Sequence, residues 1–310
     1  MIAPVILLVG PTASGKSAAA MTLAERFDAE IVSIDSALVY RDMNIGTAKP
    51  SIDEQARVPH HLIDLIDPTE TYSVARFVTD CQAAIADIHS RGRMPLLVGG
   101  SMMYANLLVN GMSEVPPADA AIRVELTARR ERDGIESLHA ELMKVDPVTA
   151  SRLPSTDTQR IERALEVWMI AGIPLSALQG QRKPALTGLR TRVVRWLPTD
   201  RAWLHRRCEE RLESMFAHDF IAEVEALRAS YALTAEMPSM RCVGYRQVLE
   251  VLEGRAPEKE LFDRALFATR QLAKRQITWL RSFAGDIVEC DAADANERVA
   301  ALIDLVSSTA

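Results

Sequence analysis

Long apolar runs are missing from this sequence, which contains no stretch of eighteen consecutive apolar residues. A membrane-spanning helix needs about that length, so we expect no membrane partner. The chain enters an apolar segment at Val5, which leaves no room for a secretory signal. Both absences favour a cytoplasmic protein.

Paired metal-binding or disulfide-forming residues are missing as well. The four cysteines are scattered without a CxxC pair, and the six histidines form no HExxH motif. We therefore predict unpaired thiols in a reducing cytosol, and neither a disulfide framework nor a zinc site. The histidines are interpreted as structural or substrate-lining residues.

The composition is that of an ordinary globular protein, with 48% apolar and 25% charged residues in 310. This length allows one large domain or two modest ones. The net charge of −6 argues mildly against a nucleic-acid partner, although the distribution of charge matters more than its sum.

One octapeptide fits the phosphate-binding pattern GxxxxGK[ST], and it lies between an apolar strand and a predicted helix over residues 17–27. Its glycines allow a tight turn that brings backbone N–H groups to an anion, and the helix start adds its positive dipole end. Lys16 supplies an ammonium, and the Ser17 hydroxyl is the predicted Mg²⁺ ligand. The motif predicts a phosphate or pyrophosphate site. Its residues are Gly10, Pro11, Thr12, Ala13, Ser14, Gly15, Lys16 and Ser17.

The next segments predict an open α/β sheet. A second strand over residues 30–36 brings Asp35 beside the phosphate loop, because the carboxyl ends of parallel strands share one edge. A polar loop over 37–50, a short strand over 61–66 and a helix from Ser73 to about residue 91 follow.

A strand over residues 95–101 ends in Gly99, Gly100 and Ser101. An NTPase usually has a Mg²⁺-holding carboxylate at such a position, so the site looks less suited to nucleotide hydrolysis. The two glycines suggest a bulky group close to the backbone. A plain strand-to-helix turn is the alternative.

Residues 115–117, Val-Pro-Pro, read as a hinge. Helical patterns follow to about residue 179, and strand character returns over residues 192–197. The predicted fold class is therefore α/β, with a P-loop NTPase-like parallel-sheet core and an inserted all-α-helical domain. We assign residues 1–113 and 190–310 to the core and 114–189 to the insertion.

A C-terminal helix is strongly basic, since no acidic residue occurs between Arg264 and Arg281. With Trp279 among the cations, it is the type of surface that meets a polyanion such as RNA. Its alternative is a basic helix that only balances the acidic remainder. The arginines of residues 159–163 could likewise form a solvated face, since acidic residues alternate with them.

Short motifs that fit one protein family occur along the whole chain, at residues 10–17, 35–41, 45–50, 59–62, 97–100, 157–160, 243–246 and 274–281. Together they resemble the tRNA dimethylallyltransferase family. The resemblance implies transfer of a dimethylallyl group from dimethylallyl diphosphate to N6 of the adenine just 3′ of the anticodon, tRNA position 37. The adenine and the diphosphate would enter a channel from opposite mouths, with Mg²⁺ on Ser17 at the diphosphate. Separately from the resemblance, we expect a monomer.

The resemblance also assigns roles. Lys16 and the phosphate loop would hold the diphosphate with Arg211, Asp35 would be the general base, and Ser101 would contact the target adenine. Contacts to the tRNA anticodon stem-loop fall on Asp35, Ser36, Ala37, Leu38, Ser101, Arg123, Gln159, Arg160, Ile161, Glu162, Arg163, Arg241, Cys242, Val243, Gly244, Tyr245 and Arg246. Basic-helix contacts fall on Lys274, Arg275 and Arg281.

This sequence departs from the family pattern in places. Ser101 stands where the family most often has threonine, and Met102 and Met103 replace its Gly-Leu, which affects the channel wall. His218 and Asp219 replace a glycine expected near a helix end, which bears on the cap geometry there.

Two other functions fit parts of the sequence. A P-loop kinase for a nucleotide or metabolite would share the loop, the Mg²⁺ and a helical lid, but it would turn over ATP. The missing strand-end carboxylate and the acid-free basic helix count against it. A non-catalytic RNA-binding module would have no need of Asp35 beside a phosphate loop.

Overall fold

Six strands form one parallel sheet, in the spatial order β3 (His60–His61), β2 (Ala29–Ser33), β4 (Met94–Gly99), β1 (Val5–Val9), β7 (Thr191–Leu197) and β8 (Asp286–Glu289). This computed structural model describes residues 3–113, 115–179, 182–291 and 295–308. The strands β1, β2 and β4 are buried throughout, as expected for a parallel sheet covered on both faces. The strands β5 Met112–Ser113 and β6 Arg182–Lys183 form a separate two-stranded sheet.

The helices divide between two compact units, Met1–Leu108 with Gly188–Ala310, and Val109–Thr187. Among the residues described, no helix is both long and apolar enough to cross a membrane. The helices are α1 Lys16–Phe27, α2 Ile52–Arg57, α3 Val74–Ser90, α4 Met102–Asn110, α5 Ala120–Asp133, α6 Ile135–Val145, α7 Pro147–Ala150, α8 Thr158–Ala171, α9 Leu175–Leu178, α10 Arg201–Ala217, α11 Phe220–Ser230, α12 Tyr245–Leu252, α13 Leu261–Ser282 and α14 Ala295–Ser307.

The first unit contains separate apolar clusters. One lies between the sheet, α1 and α14, and includes Leu8, Leu23 and Leu302. Another joins α11 and α12 to the loop after β2 through Met43 and Phe220. Helices α10 and α13 share a further cluster. The phosphate loop and the loop after β2 therefore each rest on a buried apolar base.

The second unit is mainly helical and has its own core. Leu126 of α5, Leu142 of α6 and Leu165 of α8 pack together there. The predicted helical insertion is confirmed as part of the fold class, although a two-residue antiparallel pair, β5 with β6, adds strand to a unit predicted as purely helical. The predicted boundary residue Glu114 lies outside the described residues.

The predicted start of α3 is confirmed, whereas two predicted strands end earlier than expected. Ser73 is the N-cap of α3, and its hydroxyl accepts a hydrogen bond of 3.1 Å from the Arg76 backbone N–H. The strand predicted over residues 61–66 is wrong, because Leu62 and Asp64 have φ values of +62° and +54°. That left-handed backbone ends the extended conformation after β3. β2 also ends at Ser33, two residues before Asp35.

Glu30 of β2 is a buried carboxylate that contacts several basic side chains. It lies at the amino end of its strand, whereas the phosphate loop lies at the carboxyl end of β1. Its oxygens lie 2.6 Å from His61 Nε2, 2.7 Å from Arg91 Nη2 and 3.0 Å from Arg93 Nη1. Burial opposes ionisation of Glu30, but these hydrogen bonds outweigh it and lower its pKa to about 2. The group therefore stays charged and paired.

Candidate active site

The phosphate loop joins β1 to α1 and has an internally braced backbone. Ala13 and Gly15 adopt left-handed conformations, with φ of +61° and +81°. The Ser14 hydroxyl donates to the Pro11 carbonyl at 2.8 Å, and the indole N–H of buried Trp196 on β7 donates to the Ser14 carbonyl at 2.8 Å. These bonds fix the turn that the motif predicts before α1 begins.

Gln276 on α13 connects the phosphate loop to the end of β4. Its Oε1 accepts a hydrogen bond of 2.8 Å from the Thr12 backbone N–H, and its Nε2 donates 2.9 Å to the Gly100 carbonyl. The side chain is 8% exposed. The sequence pattern of residues 274–281 includes this glutamine but assigns it no role. The available signal was an uncharged polar residue next to cations on a basic helix.

The structure agrees with the prediction of bulky groups close to the backbone of Gly99 and Gly100, and these groups belong to the protein itself. A Cβ on Gly99 would lie 2.5 Å from the Ile34 carbonyl oxygen. One on Gly100 would lie 2.5 Å from Gln276 Nε2. The glycines are therefore needed because the protein itself fills the space beside them.

A cavity of about 640 Å³ lies at the carboxyl edge of the sheet in the first unit. Its wall combines the phosphate loop, the loop after β2, α10, α13 and the segment before α12. The predicted site residues that line it are Thr12, Lys16, Ser17, Asp35, Ser36, Ala37, Leu38, Ser101, Arg211, Arg241, Cys242, Val243, Gly244, Tyr245 and Arg275.

The charges of Lys16, Arg211 and Asp35 influence one another within this cavity. Burial lowers the pKa of Lys16 to about 8, the nearby Asp35 charge opposes this change, and the Arg211 charge adds to it. Burial also lowers the pKa of Arg211, again opposed by Asp35. Arg211 Nη2 donates to the Thr47 carbonyl at 3.3 Å, and Lys16 Nζ lies 3.5 Å from the Pro11 carbonyl. Two poorly hydrated cations near one carboxylate favour an anionic ligand.

Asp35 follows β2 and is partly buried. Its Oδ1 accepts a hydrogen bond of 2.9 Å from the Ala37 backbone N–H, which fixes the carboxylate plane. Within the described ranges, Oδ2 accepts no hydrogen bond. One oxygen is therefore held in place and the other is available to accept a proton.

Ser101 is joined to the loop after β2. Its Oγ accepts a hydrogen bond of 2.9 Å from the Ser36 backbone N–H and donates 3.1 Å to the Ser36 hydroxyl. Met102 and Met103 follow on the cavity wall, and Met103 is 52% exposed. The expected contact of Ser101 with an adenine would therefore draw on a hydroxyl that already orders the loop beside Asp35.

The remaining predicted RNA contacts lie outside the cavity wall. Arg246, Lys274 and Arg281 are exposed positions of the first unit. Arg123 and the segment 159–163 belong to the second unit.

Several arginines of the second unit form ion pairs. Arg123 and Arg163 both pair with Glu166, which is 1% exposed. The Glu162 carboxylate pairs with Arg130 at 2.6 Å, and exposed Arg160 pairs with the Asp157 cap at 2.9 Å. The side chains of Arg123 and Arg160 nevertheless stay 58% and 71% exposed, so both remain accessible to RNA.

Two neighbouring positions, Gln159 and Ile161, behave differently. Gln159 lies at an exposed position of α8. Ile161 is fully buried and packs in the core of the second unit. This corrects the contact expected of its side chain, because a residue that fills the core cannot present that side chain to RNA.

The departure at residue 219 has a clear structural consequence. Asp219 has φ +62° and ψ +33°, a left-handed conformation between α10 and α11. Glycine adopts this conformation freely, and aspartate is among the side chains that tolerate it. The connection therefore keeps the geometry that the expected glycine would give.

Known proteins resemble this chain along most of its length. Residues 38–283 match the family model described as IPP transferase. The chain is 52% identical over 305 residues to the tRNA dimethylallyltransferase of Ralstonia nicotianae, covering 96% of this chain and 94% of that protein.

Solved structures extend the likeness to the fold and confirm its predicted class. The full-length tRNA isopentenylpyrophosphate transferase from Bacillus halodurans is 31% identical, with a TM-score of 0.72 over 99% of this chain and 96% of that one. A eukaryotic dimethylallyltransferase acting on tRNA is 26% identical, with a TM-score of 0.83 over 99% and 80%. The model match and the sequence identity together show that the chain belongs to the IPP transferase family.

Proposed function

We propose that this protein transfers a dimethylallyl group from dimethylallyl diphosphate to N6 of adenine 37 of tRNA, releasing diphosphate. The observation that carries the proposal is the placement of Lys16, Arg211 and Asp35 on one cavity, in a chain of this family. A donor with an anionic leaving group and an acceptor that loses a proton needs that pairing of cations and carboxylate.

The chain's own groups would divide the work as follows. Backbone N–H groups of the phosphate loop, Lys16 and Arg211 bind the diphosphate and stabilise the charge that grows as the carbon–oxygen bond breaks. The adenine N6 forms the new bond to the same carbon. Asp35 Oδ2 accepts the proton that N6 loses, while the bond from the Ala37 N–H holds Oδ1.

The residues present fit a Mg²⁺ ion that is shared with the donor. Ser17 is exposed on the cavity wall at the start of α1. Magnesium keeps several waters and often takes only one or two protein ligands together with substrate phosphates. Ser17 would hold the ion against the diphosphate, and the ion would supply positive charge to the leaving oxygens.

The partners follow from the surfaces of each unit. Arg241, Cys242 and Val243 on the cavity wall would contact the anticodon stem-loop, as would exposed Lys274 and Arg281 on α13 and Arg123 and Arg160 in the second unit. The side chain of Tyr245, also expected to contact RNA, is fully buried and is not assigned this contact. We propose a monomer, because one chain supplies every group assigned to the reaction. We assign the reaction to the cytosol, where free thiols such as buried Cys81 and Cys208 persist.

A transfer assay tests this function. The purified protein, Mg²⁺, unmodified tRNA and labelled dimethylallyl diphosphate should give labelled tRNA, and ATP should not replace the donor. A matched tRNA with guanine at position 37 should stay unlabelled. ATP hydrolysis without transfer of label would instead favour the kinase.

A further inference from the structure

Glu223 of α11 holds the loop after β2 through three consecutive backbone N–H groups. Its Oε2 accepts hydrogen bonds of 2.9 Å from Asn44 and 2.7 Å from Ile45, and its Oε1 accepts 3.3 Å from Gly46. Hydrogen bonds to a carboxylate are stronger than those between neutral groups. One side chain, 177–179 residues away in sequence, therefore fixes this turn of the loop.

The same carboxylate also receives the Tyr245 hydroxyl at the start of α12. Burial, together with Glu223, raises the pKa of Tyr245, so the phenol remains a donor. A Cβ at Gly46 would lie 2.2 Å from a Phe220 ring carbon and 2.6 Å from a Tyr245 ring carbon. The loop backbone is thus pressed against both rings while Glu223 holds it.

This loop leads directly to the cavity. Thr47 follows Gly46, and its carbonyl accepts the hydrogen bond from Arg211 Nη2. Two residues later, the Lys49 ammonium donates 2.7 Å to the Tyr40 carbonyl and pairs with Asp64, with its side chain 3% exposed. The Thr47 carbonyl therefore lies between two anchored points, and it orients the Arg211 guanidinium.

We propose that Glu223 is a positioning residue that seats Arg211 for the donor diphosphate. Through Tyr245, it also ties the loop to the Arg241–Tyr245 segment of the same cavity wall. This inference rests on the proposed function, because it takes a diphosphate as the ligand of Arg211. Glu223 touches neither substrate itself and acts through the loop and Arg211.

A double-mutant cycle on the full chain tests the inference, with magnesium pyrophosphate binding measured by calorimetry. Glu223→Gln keeps the shape but replaces one acceptor oxygen with an NH₂ group that faces backbone donors. It should weaken pyrophosphate binding about tenfold, and in the Arg211→Ala background it should cause no further loss. Glu225→Gln, at an exposed position on the same helix, should change nothing.

Transfer kinetics supply a second readout. Glu223→Gln should raise the KM for dimethylallyl diphosphate about tenfold and change the kcat by less than that. If thermal melting shows that Glu223→Gln does not fold, Glu223→Asp enters the same cycle, because it keeps the charge but is one methylene too short to reach the loop.

The outcomes separate the two proposals. Additive losses in the cycle, or unchanged pyrophosphate binding by the Glu223 variants, would overturn the positioning role while leaving the proposed function intact. A wild-type protein that binds no pyrophosphate and transfers no label would overturn both.

Discussion

Replacing Lys16 with methionine should make the protein more stable while removing its donor binding. Burial lowers the pKa of the ammonium from its ordinary 10.5 to about 8. At about 1.4 kcal/mol for each unit of pKa change, the charged Lys16 ammonium destabilises the folded state by about 3 kcal/mol. Water in the cavity screens part of that cost, so we expect Lys16→Met to raise the unfolding free energy by about 1–3 kcal/mol at pH 7.

The pH dependence of this gain follows from the sign of the pKa change. Below pH 8, Lys16 is charged in both the folded and the unfolded states, and the folded state carries the full cost. As the pH rises from 8 towards 10.5, the folded state loses its proton first and the cost disappears. The stability of the wild type should therefore approach that of Lys16→Met across this window.

Denaturant unfolding of both proteins at pH 7 and pH 10 measures the effect, with Lys259→Met as the control. Lys259 is exposed, so its replacement should change stability by no more than about 0.5 kcal/mol. Magnesium pyrophosphate at about 100 times its Kd should stabilise the wild type by about 2.7 kcal/mol and leave Lys16→Met unchanged. If Lys16→Met is less stable than the wild type at pH 7, burial does not penalise the ammonium and the reasoning fails.

Four further predictions address other parts of the chain. Asp35→Ala should lower kcat by about 10²–10⁴-fold with near-normal tRNA affinity, and loss of tRNA binding at a normal rate would reassign Asp35 to recognition. Gln276→Ala leaves two backbone groups unpaired, so it should cost about 2–4 kcal/mol in denaturant unfolding and raise the donor KM; unchanged values would refute the bridging role. Glu30→Gln should lower the free energy of unfolding by about 3 kcal/mol at pH 7. In the wild type this stabilisation should vanish as the pH falls from 4.5 to about 2, and a difference between the two proteins that does not change with acid would contradict this. Lys274→Ala and Arg281→Ala should each reduce the slope of log affinity for tRNA against log salt by about 1 in filter binding, and unchanged slopes would mean that these cations contact no phosphate.

The sequence determined those features that depend on neighbouring residues. The glycine and lysine spacing of residues 10–17 predicted the phosphate loop, Ser73 predicted the start of α3, and the carboxyl end of β2 predicted that Asp35 faces the cavity. Each signal acts within a few residues, through backbone conformation, capping or strand direction. The acid-free helix around Trp279 is likewise a local pattern.

The distant groups that complete the site become apparent only from how the helices pack. The space beside Gly99 and Gly100 belongs to Ile34 and Gln276, and Gln276 reaches the phosphate loop across 264 residues. Glu223 could not be paired with its loop from the sequence, because a glutamate on a helix has no local mark of its partner. Packing of α11 and α13 on separate apolar clusters brings these side chains to backbone groups of loops distant in sequence, and the hydrogen bonds follow from that packing.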